Sequence, residues 1–179
     1  VSTNNGIRAY GNTHGFLASF HKSSHSISCV VVGEQNGDMQ RDYHYTTARD
    51  PRDLEPAKTV GQRAARRTID RLGARKVKTC KAKVLLAPEI ARGFIGHAVA
   101  AIGGGAQYRR SSFLLAAAGE QIFPQFLQIQ ERPHIPKGMA SAPYDAEGVA
   151  TRDRDLVVDG VLQGYVLGSY SARRLGLST

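Results

Sequence analysis

Six histidines and two cysteines are the residues of this chain that could bind a metal ion. His21 and His25 are four positions apart, but they lie in a serine-rich stretch that predicts an extended strand. In a strand that spacing separates the two side chains by about 13 Å, which is too far for one ion. The short zinc motifs CxxC, HExxH and HxH are all absent from the sequence. The two histidines therefore predict no metal site.

Cys29 and His44 form a second pair that could bind a metal. Asn36–Gly37 predicts a two-residue hairpin turn, and in the resulting register Cys29 faces His44 with Asp42 diagonal to them. Three ligands of mixed type could hold zinc, but a buried thiol beside a hydrogen-bonded histidine fits the same pattern better. We assign no metal ligand and no catalytic residue from these positions.

Three consecutive glycines, Gly103 to Gly105, are followed by Arg109, Arg110, Ser111 and Ser112. A phosphate-binding loop needs its glycines after a strand and a Gly-Lys-Ser/Thr closure, and this stretch has neither. The glycines follow a predicted helix, so they are interpreted as its stop. The two serines have no base that can be assigned to them.

Asp145 and Glu147 are the carboxylates whose spacing could support acid–base chemistry. They lie two residues apart in a predicted turn, where an aspartate more often accepts hydrogen bonds from its own backbone. A stand-alone hydrolase that combined them with His97 is a further hypothesis. The residues of any binding site stay unknown at this level.

The chain is basic, with 24 Lys and Arg against 15 Asp and Glu, a net charge of +9 and a pI near 9.9. The excess is densest from Arg63 to Lys78, where Arg63, Arg67 and Arg71 share one face of a predicted helix. A solvated surface is the first interpretation of this stripe. A site for nucleic acid or another polyanion is the alternative.

Two cysteines can form at most one disulfide, which favours a reducing, cytoplasmic setting. No apolar run is long enough to span a membrane. The chain opens on Val1 and not on Met, so we expect an interior stretch of a longer protein.

The alternation of apolar and polar residues predicts an α+β fold made of antiparallel β-hairpins packed with two main helices. We expect residues 1–179 to form a single partial domain. Its expected parts are a β-hairpin region over 7–48, a helix–strand–helix unit over 56–105, a loop and short-strand region over 106–152, a β-hairpin over 155–167 and the start of a helix over 169–175. Within the second part, a helix runs to Leu72, a buried strand covers 83–87, and the second helix opens at Pro88.

Several collinear stretches together resemble the PmbA/TldD family, and within it the PmbA (TldE)-like branch. None is a catalytic signature, but their order makes the match specific and spans most of the chain. The stretches are GEQNGDMQRDY at 33–43, VGQRAARR at 60–67, GFIGH at 93–97, RSSF at 110–113, PYDAEGV at 143–149 and SYSARRLG at 169–176. The resemblance implies the start of the C-terminal domain of a protein two to three times longer.

This resemblance implies a cytoplasmic, two-subunit metalloprotease that acts on small or unfolded polypeptides, including microcin precursors and antitoxins. The family was first described as a modulator of DNA gyrase. Its TldD-like subunit carries zinc on an HExxxH helix. Aligned with the helix that opens at Pro88, that motif places Gly96 and Ala101 at the ligand positions and His97 at the glutamate position. The resemblance therefore implies the non-catalytic subunit of a heterodimer, with no cofactor in this chain, zinc in the TldD-like partner, and His97 as a core or interface residue.

Two hypotheses follow. In the first, the chain belongs to a PmbA-type subunit that pairs with the zinc-bearing subunit and helps to enclose a peptide. In the second, it is a basic module that binds nucleic acid or gyrase through the stripe from Arg63 to Lys78.

Overall fold

This computed structural model describes all 179 residues of the chain, which divide into two units. The first unit comprises Val1–Cys80 and His134–Pro143, and the second comprises Lys81–Pro133 and Tyr144–Thr179. This division differs from the single partial domain expected over 1–179. The boundary carries no proline- or glycine-rich linker, so composition gives no signal of it. The α+β class expected from the sequence is confirmed.

The first unit contains a three-stranded antiparallel sheet of β1 (Ser2–Gly11), β2 (Leu17–Gln35) and β3 (Asp38–Ala48), in the order β1-β2-β3. Within the β-hairpin region, residues 16–21 and 27–34 have the composition of two short strands, but β2 runs unbroken for 19 residues. The serine-rich middle stays extended because β1 pairs with residues 17–26 and β3 with residues 25–35.

The turn between β2 and β3 has the predicted geometry. Asn36 and Gly37 both have positive φ, at 53° and 80°, which is the conformation of a two-residue hairpin turn. Gln35 consequently faces Asp38, and Cys29 faces His44. The predicted register is confirmed, and with it the side of the sheet on which each of these side chains lies.

Helix α1 (Ala57–Ile69) packs on one face of β2 and β3 through Val60, Ala64 and Thr68, which are buried. Thr68 Oγ1 donates to the carbonyl oxygen of Ala64 at 2.9 Å. A Cβ on Gly33 would lie only 3.2 Å from Thr68 Cγ2, so the glycine allows the helix to approach β2 closely. The helix ends three residues before the predicted Leu72, because the chain then tightens into turns.

Residues 134–143 belong to the first unit because the segment after β3 holds them. The Arg49 guanidinium donates to the carbonyl oxygens of Gly138, Met139 and Ser141 at 3.0–3.2 Å. Lys137 Nζ pairs with Asp50 at 3.1 Å and with Asp53 at 2.8 Å. Hydrogen bonds donated by Arg52 and then by Lys137 hold the pKa of Asp50 well below its usual range. The hydrogen bonds that Lys137 donates to Asp53 and Asp50 raise the pKa of Lys137.

The buried strand predicted over residues 83–87 is wrong. These residues form no strand, and Val84 and Leu85 are 76% and 99% exposed. A strand needs a neighbour to accept its backbone hydrogen bonds, and no other strand of the chain lies alongside this segment. Helix α2 (Pro88–Ala101) follows at the predicted start, and most of it is exposed up to its last turn.

The glycines after α2 separate two helices. Gly103 ends the first, whereas Gly104 begins α3 (Gly104–Tyr108). A Cβ on Gly104 would lie 2.2 Å from Oγ and 2.5 Å from Cβ of Ser171, so only glycine fits where α3 meets α4 (Ser169–Leu175). Helix α4 covers the residues predicted for it.

The second unit contains a small antiparallel sheet of β4 (Ile129–Glu131), β5 (Arg154–Val158) and β6 (Val161–Leu162). Asp159 and Gly160 form the predicted turn, with φ of 49° and 78°. The second strand of this hairpin stops at Leu162, five residues before the expected 167. Val157 and Leu162 lie at the centre of the core, together with Ile102 from the end of α2.

The contact between Gly104 and Ser171 gives a first testable prediction. Gly104→Ala should lower the free energy of unfolding of the second unit by about 1–3 kcal/mol, because the added methyl group overpacks a buried contact. Gly96→Ala is the matched control: its Cβ meets nothing within 4 Å, and it should be neutral or gain up to about 1 kcal/mol from helix propensity. Urea unfolding measures both. Equal effects of the two substitutions would contradict this account.

The lowered pKa of Asp50 predicts a pH dependence for residues 134–143. A depressed carboxylate stabilises the folded state fully above its ordinary pKa, and the contribution is lost as the pH falls below about 4. Amide NMR shifts of residues 137–141 should therefore move on acidification, and Asp50→Asn should remove that change. Asp38→Asn, at the start of β3 and without an ion pair, is the control. An unchanged profile in Asp50→Asn would show that another group holds the segment.

Candidate functional site

The arginines of α1 take part in ion pairs with acidic residues. Arg67 and Arg71 each lie 3.5 Å from a carboxylate oxygen of Asp42, and Arg63 lies 3.0 Å from Glu55 Oε1. The backbone N–H of Tyr43 and then the two arginines lower the pKa of Asp42. The stripe predicted from the sequence therefore exists as a helix face, but much of its charge is neutralised within the unit.

Cys29 and His44 lie opposite each other, as the register predicted, but His44 is directed to a different group. Its Nε2 lies 3.5 Å from Glu55 Oε1, and Cys29 is a free, half-buried thiol. No group of three or more His, Cys, Asp or Glu side chains in the structure is arranged to hold a metal ion. Asp42, the third residue considered for zinc, pairs with the arginines.

His21 and His25 also lie in different environments. His25 is 9% exposed, and its Nδ1 lies 3.2 Å from Thr3 Oγ1 on the neighbouring strand. His21 lies opposite Ile7 and is exposed. The contact of His25 stabilises the pairing of β1 with β2, and nothing gathers the two imidazoles at one ion.

Asp145 and Glu147 each perform a structural task. Asp145 Oδ1 accepts hydrogen bonds from the backbone N–H groups of Glu147 and Val149 at 2.8 and 2.9 Å, which is the predicted turn. Glu147 Oε2 accepts from the backbone N–H and the hydroxyl of Ser169 at the start of α4, and these bonds lower the pKa of Glu147. His97 is exposed and makes no hydrogen bond to either carboxylate, so the three do not form an acid–base site.

The residues after the three glycines also have local roles. Ser112 Oγ donates to the carbonyl oxygen of Ala101 and accepts from the backbone N–H of Leu114, at 2.7 and 2.9 Å. The Arg109 guanidinium lies 5.3 Å from the centre of the Tyr108 ring. Ser112 thus ties this stretch to the end of α2. The N–H groups of Gly103 and Gly104 donate to the carbonyl oxygens of Ala100 and Val166, so they do not form a phosphate cradle.

One face of the first sheet is open, and sequence reasoning did not single it out. Val30, Val32, Met39 and Tyr43 lie on the face opposite α1 and are 54–64% exposed. The rings of Tyr43 and Tyr45 stack on this face with centroids 6.2 Å apart. The sequence of residues 38–45 could have predicted this face, because the Met and Tyr residues occupy alternating positions of a strand and alternating side chains lie on the same side of a sheet.

The outer edge of β3 borders this face and pairs with no further strand. An unpaired edge presents backbone N–H and C=O groups that can bind an extended polypeptide by adding a strand. On β3 the N–H of Tyr43 already donates to Asp42 Oδ1 at 2.7 Å, so an added strand would use the other groups of the edge. Backbone pairing of this kind does not depend on sequence. The combination of edge and apolar face is the candidate functional surface of the first unit.

None of the helices is both long and apolar enough to cross a membrane.

Comparison with known families covers both units. Residues 1–72 match the central domain of the PmbA/TldA metallopeptidases, and residues 79–179 match the C-terminal domain of the same metallopeptidases. The boundary between the two matches falls near the division seen in the structure.

Relatives of known name agree with this assignment. The chain is 50% identical over 174 residues to the metalloprotease PmbA of Escherichia coli O157:H7, and 41% identical over 178 residues to a PmbA homologue of Haemophilus influenzae. These matches cover 97% and 99% of this chain but only 39% and 40% of the relatives. A TldD homologue of Haemophilus influenzae is 34% identical over 71 residues, which is 40% of this chain and 15% of the relative.

Solved structures show the same fold. A crystal structure of a candidate modulator of DNA gyrase from Bacteroides thetaiotaomicron superimposes with a TM-score of 0.92 at 26% identity, over 98% of this chain and 40% of that one. TldE from Thermococcus kodakarensis shares the fold at 21% identity, with a TM-score of 0.78 over 99% of this chain and 40% of that one. The chain spans about two fifths of the length of the relatives it matches. It belongs to the PmbA/TldD metallopeptidase family, and it resembles PmbA over residues that match the central and C-terminal domains of that family.

Proposed function

We propose that this chain is part of a non-catalytic, PmbA (TldE)-like subunit of a two-subunit metalloprotease, and that a TldD-like partner supplies the zinc. The observation that carries this proposal is the 50% identity to PmbA over 97% of the chain, in a sequence without an HExxxH helix. The whole protein would act on small or unfolded polypeptides.

The residues of α2 do not fit a zinc ion. The positions aligned with the metal-binding helix of the TldD-like subunit hold Gly96, His97 and Ala101, which offer a single imidazole. A catalytic zinc needs three protein ligands, and activation of water next to it needs a base. We therefore derive no step through zinc in this chain and assign it no catalytic or metal-binding residue.

The first sheet suggests how such a subunit would handle a polypeptide. The unpaired edge of β3 can pair with the backbone of an extended chain, and the exposed Val32, Met39 and Tyr43 can cover its apolar side chains. An unfolded polypeptide presents both kinds of group, whereas a folded protein has already paired its backbone. This mode would admit substrates of many sequences, including microcin precursors and antitoxins.

A cytoplasmic location is part of the same proposal. Both Cys29 and Cys80 are free thiols, as expected in a reducing compartment. Any effect on DNA gyrase would then be indirect, through the polypeptides that the protease processes.

The alternative function, direct binding of nucleic acid or gyrase through Arg63 to Lys78, is less well supported. Its central arginines are engaged by Asp42 and Glu55, and a phosphate would have to compete with these carboxylates. Tight binding of a DNA duplex with a steep dependence on salt would support this alternative.

The proposal predicts where zinc is found. The purified chain should contain no stoichiometric zinc and should not cleave an unfolded polypeptide. The full-length PmbA-type protein, mixed with a TldD-like subunit, should form a stable complex that contains zinc and cleaves the unfolded polypeptide. Elemental analysis and a cleavage assay on each sample, with the TldD-like subunit alone as control, give the answer. One equivalent of zinc in the isolated chain would overturn the proposal and return attention to Cys29, Asp42 and His44.

The ion pairs of α1 predict weak binding to DNA. Affinity for a duplex should be low at about 50 mM salt and absent at about 200 mM, with a shallow dependence on salt, because few arginines are free to displace counterions. Fluorescence anisotropy of a labelled duplex measures it. Tight binding with a steep salt slope, lost in Arg67→Gln and retained in Arg92→Gln on the exposed α2, would favour the nucleic-acid module instead.

A further inference from the structure

A pocket of about 410 Å³ opens in the second unit beside the C-terminal ends of α3 and α4. Leu115, Leu175 and Leu177 give it an apolar wall, and Arg110 and Arg174 lie on it together with two tyrosines. Its volume lies in the range of about 300–1,000 Å³ that is usual for sites binding small molecules or short chain ends. No acidic residue lines it.

The two arginines are unpaired, in contrast to others in the same unit. Arg132 pairs with Asp153 and Asp155, and Arg154 pairs with Glu131. Arg110 and Arg174 are exposed, and neither guanidinium forms an ion pair or hydrogen bond within the chain. Two free guanidinium groups on one pocket without a counter-charge make the site complementary to an anion.

The backbone at Arg110 supports a role for its side chain. Arg110 follows α3 with a φ of 56°, and it and Ser111 donate to the carbonyl oxygens of Gln107 and Ala106, the usual left-handed end of a helix. That position normally takes glycine, as Gly176 does at the end of α4. An arginine that lines the pocket is therefore held there in a backbone conformation that residues with a side chain rarely adopt.

The two tyrosines are fixed in the wall. The Tyr165 hydroxyl accepts a hydrogen bond from the backbone N–H of Ala118 at 3.3 Å. The Tyr108 ring packs edge-on against Tyr170, with centroids 5.6 Å apart. The walls are thus preorganised, and a ligand would order mainly the two arginine side chains.

We propose that this pocket binds the carboxyl-terminal end of a polypeptide, an assignment that rests on the proposed polypeptide-handling function. A guanidinium donates two parallel hydrogen bonds to a carboxylate, so Arg110 and Arg174 hold the terminal carboxylate. The three leucines receive an apolar last side chain. Only the end of a chain offers a carboxylate and an apolar side chain on the same residue, which is the combination this pocket matches.

Direct binding tests the proposal without the partner subunit or zinc. The probe is a short peptide with an N-terminal fluorophore and a C-terminal leucine, prepared as the free acid and as the amide. By fluorescence anisotropy, we expect the acid to bind at least tenfold more tightly than the amide. Arg110→Gln and Arg174→Gln should each weaken binding of the acid at least fivefold, and Arg92→Gln, also in the second unit but outside the pocket, should not.

Equal binding of acid and amide would overturn the proposal, as would an equal loss in Arg92→Gln. Displacement of the peptide by inorganic phosphate at the same concentration as by unlabelled peptide would also overturn it, because the pocket would then be a general anion site. Circular dichroism confirms that each variant is folded. Because cleavage is not measured, failure here leaves the pairing with a TldD-like subunit untouched, and failure of that pairing leaves this binding result intact.

Discussion

The positive φ angles of Asn36 and Gly37 are the constraint on which the first unit depends, because they fix the register of β2 against β3. A slip by one residue would turn every side chain of β3 to the other face. In the observed register Asp42 and His44 face α1, where Asp42 meets arginines and His44 meets Glu55, while Tyr43 faces away. Both the neutralised helix and the open apolar face therefore follow from one turn.

The packing of the second unit depends on glycines whose backbone lies in close contact with neighbouring segments. Gly104 allows α3 to touch Ser171 on α4, and Gly160 packs against the carbonyl oxygen of Phe123, where a Cβ would come within 2.1 Å. The contact of Gly104 with Ser171 joins the first turns of α3 and α4, and the pocket with Arg110 and Arg174 lies beside the opposite, C-terminal ends of the same two helices. The proposed absence of a zinc site and the proposed polypeptide-binding surfaces thus depend on separate features. The first depends on the residues of α2, and the second on the edge of β3 and the ends of α3 and α4.

Local signals in the sequence predicted local structure well. The turn at Asn36, the start of α1 after Pro56 and the helix ending before Gly176 all follow from the chemistry of a few neighbouring residues. The strand expected over 83–87 failed because a strand also requires a partner, which periodicity does not reveal. The pocket could not be predicted, because Arg110 and Arg174 are far apart in sequence and line one pocket only through the packing of α3 on α4. Family resemblance supplied the non-catalytic hypothesis, which no spacing of side chains could have given.

The two halves of β2 differ in what supports them. Residues 25–35 are joined to β3 and lie under α1, whereas residues 17–26 pair with β1, which is almost entirely exposed. A two-stranded ribbon with little buried surface is marginally stable in water. Local stability therefore differs along a single strand. β1 can separate from β2 and exchange its amide protons while the half of β2 that lies under α1 keeps its hydrogen bonds. One continuous strand thus joins a stable part, the β2–β3 pair under α1, to a part that can change shape, the exposed β1–β2 pair.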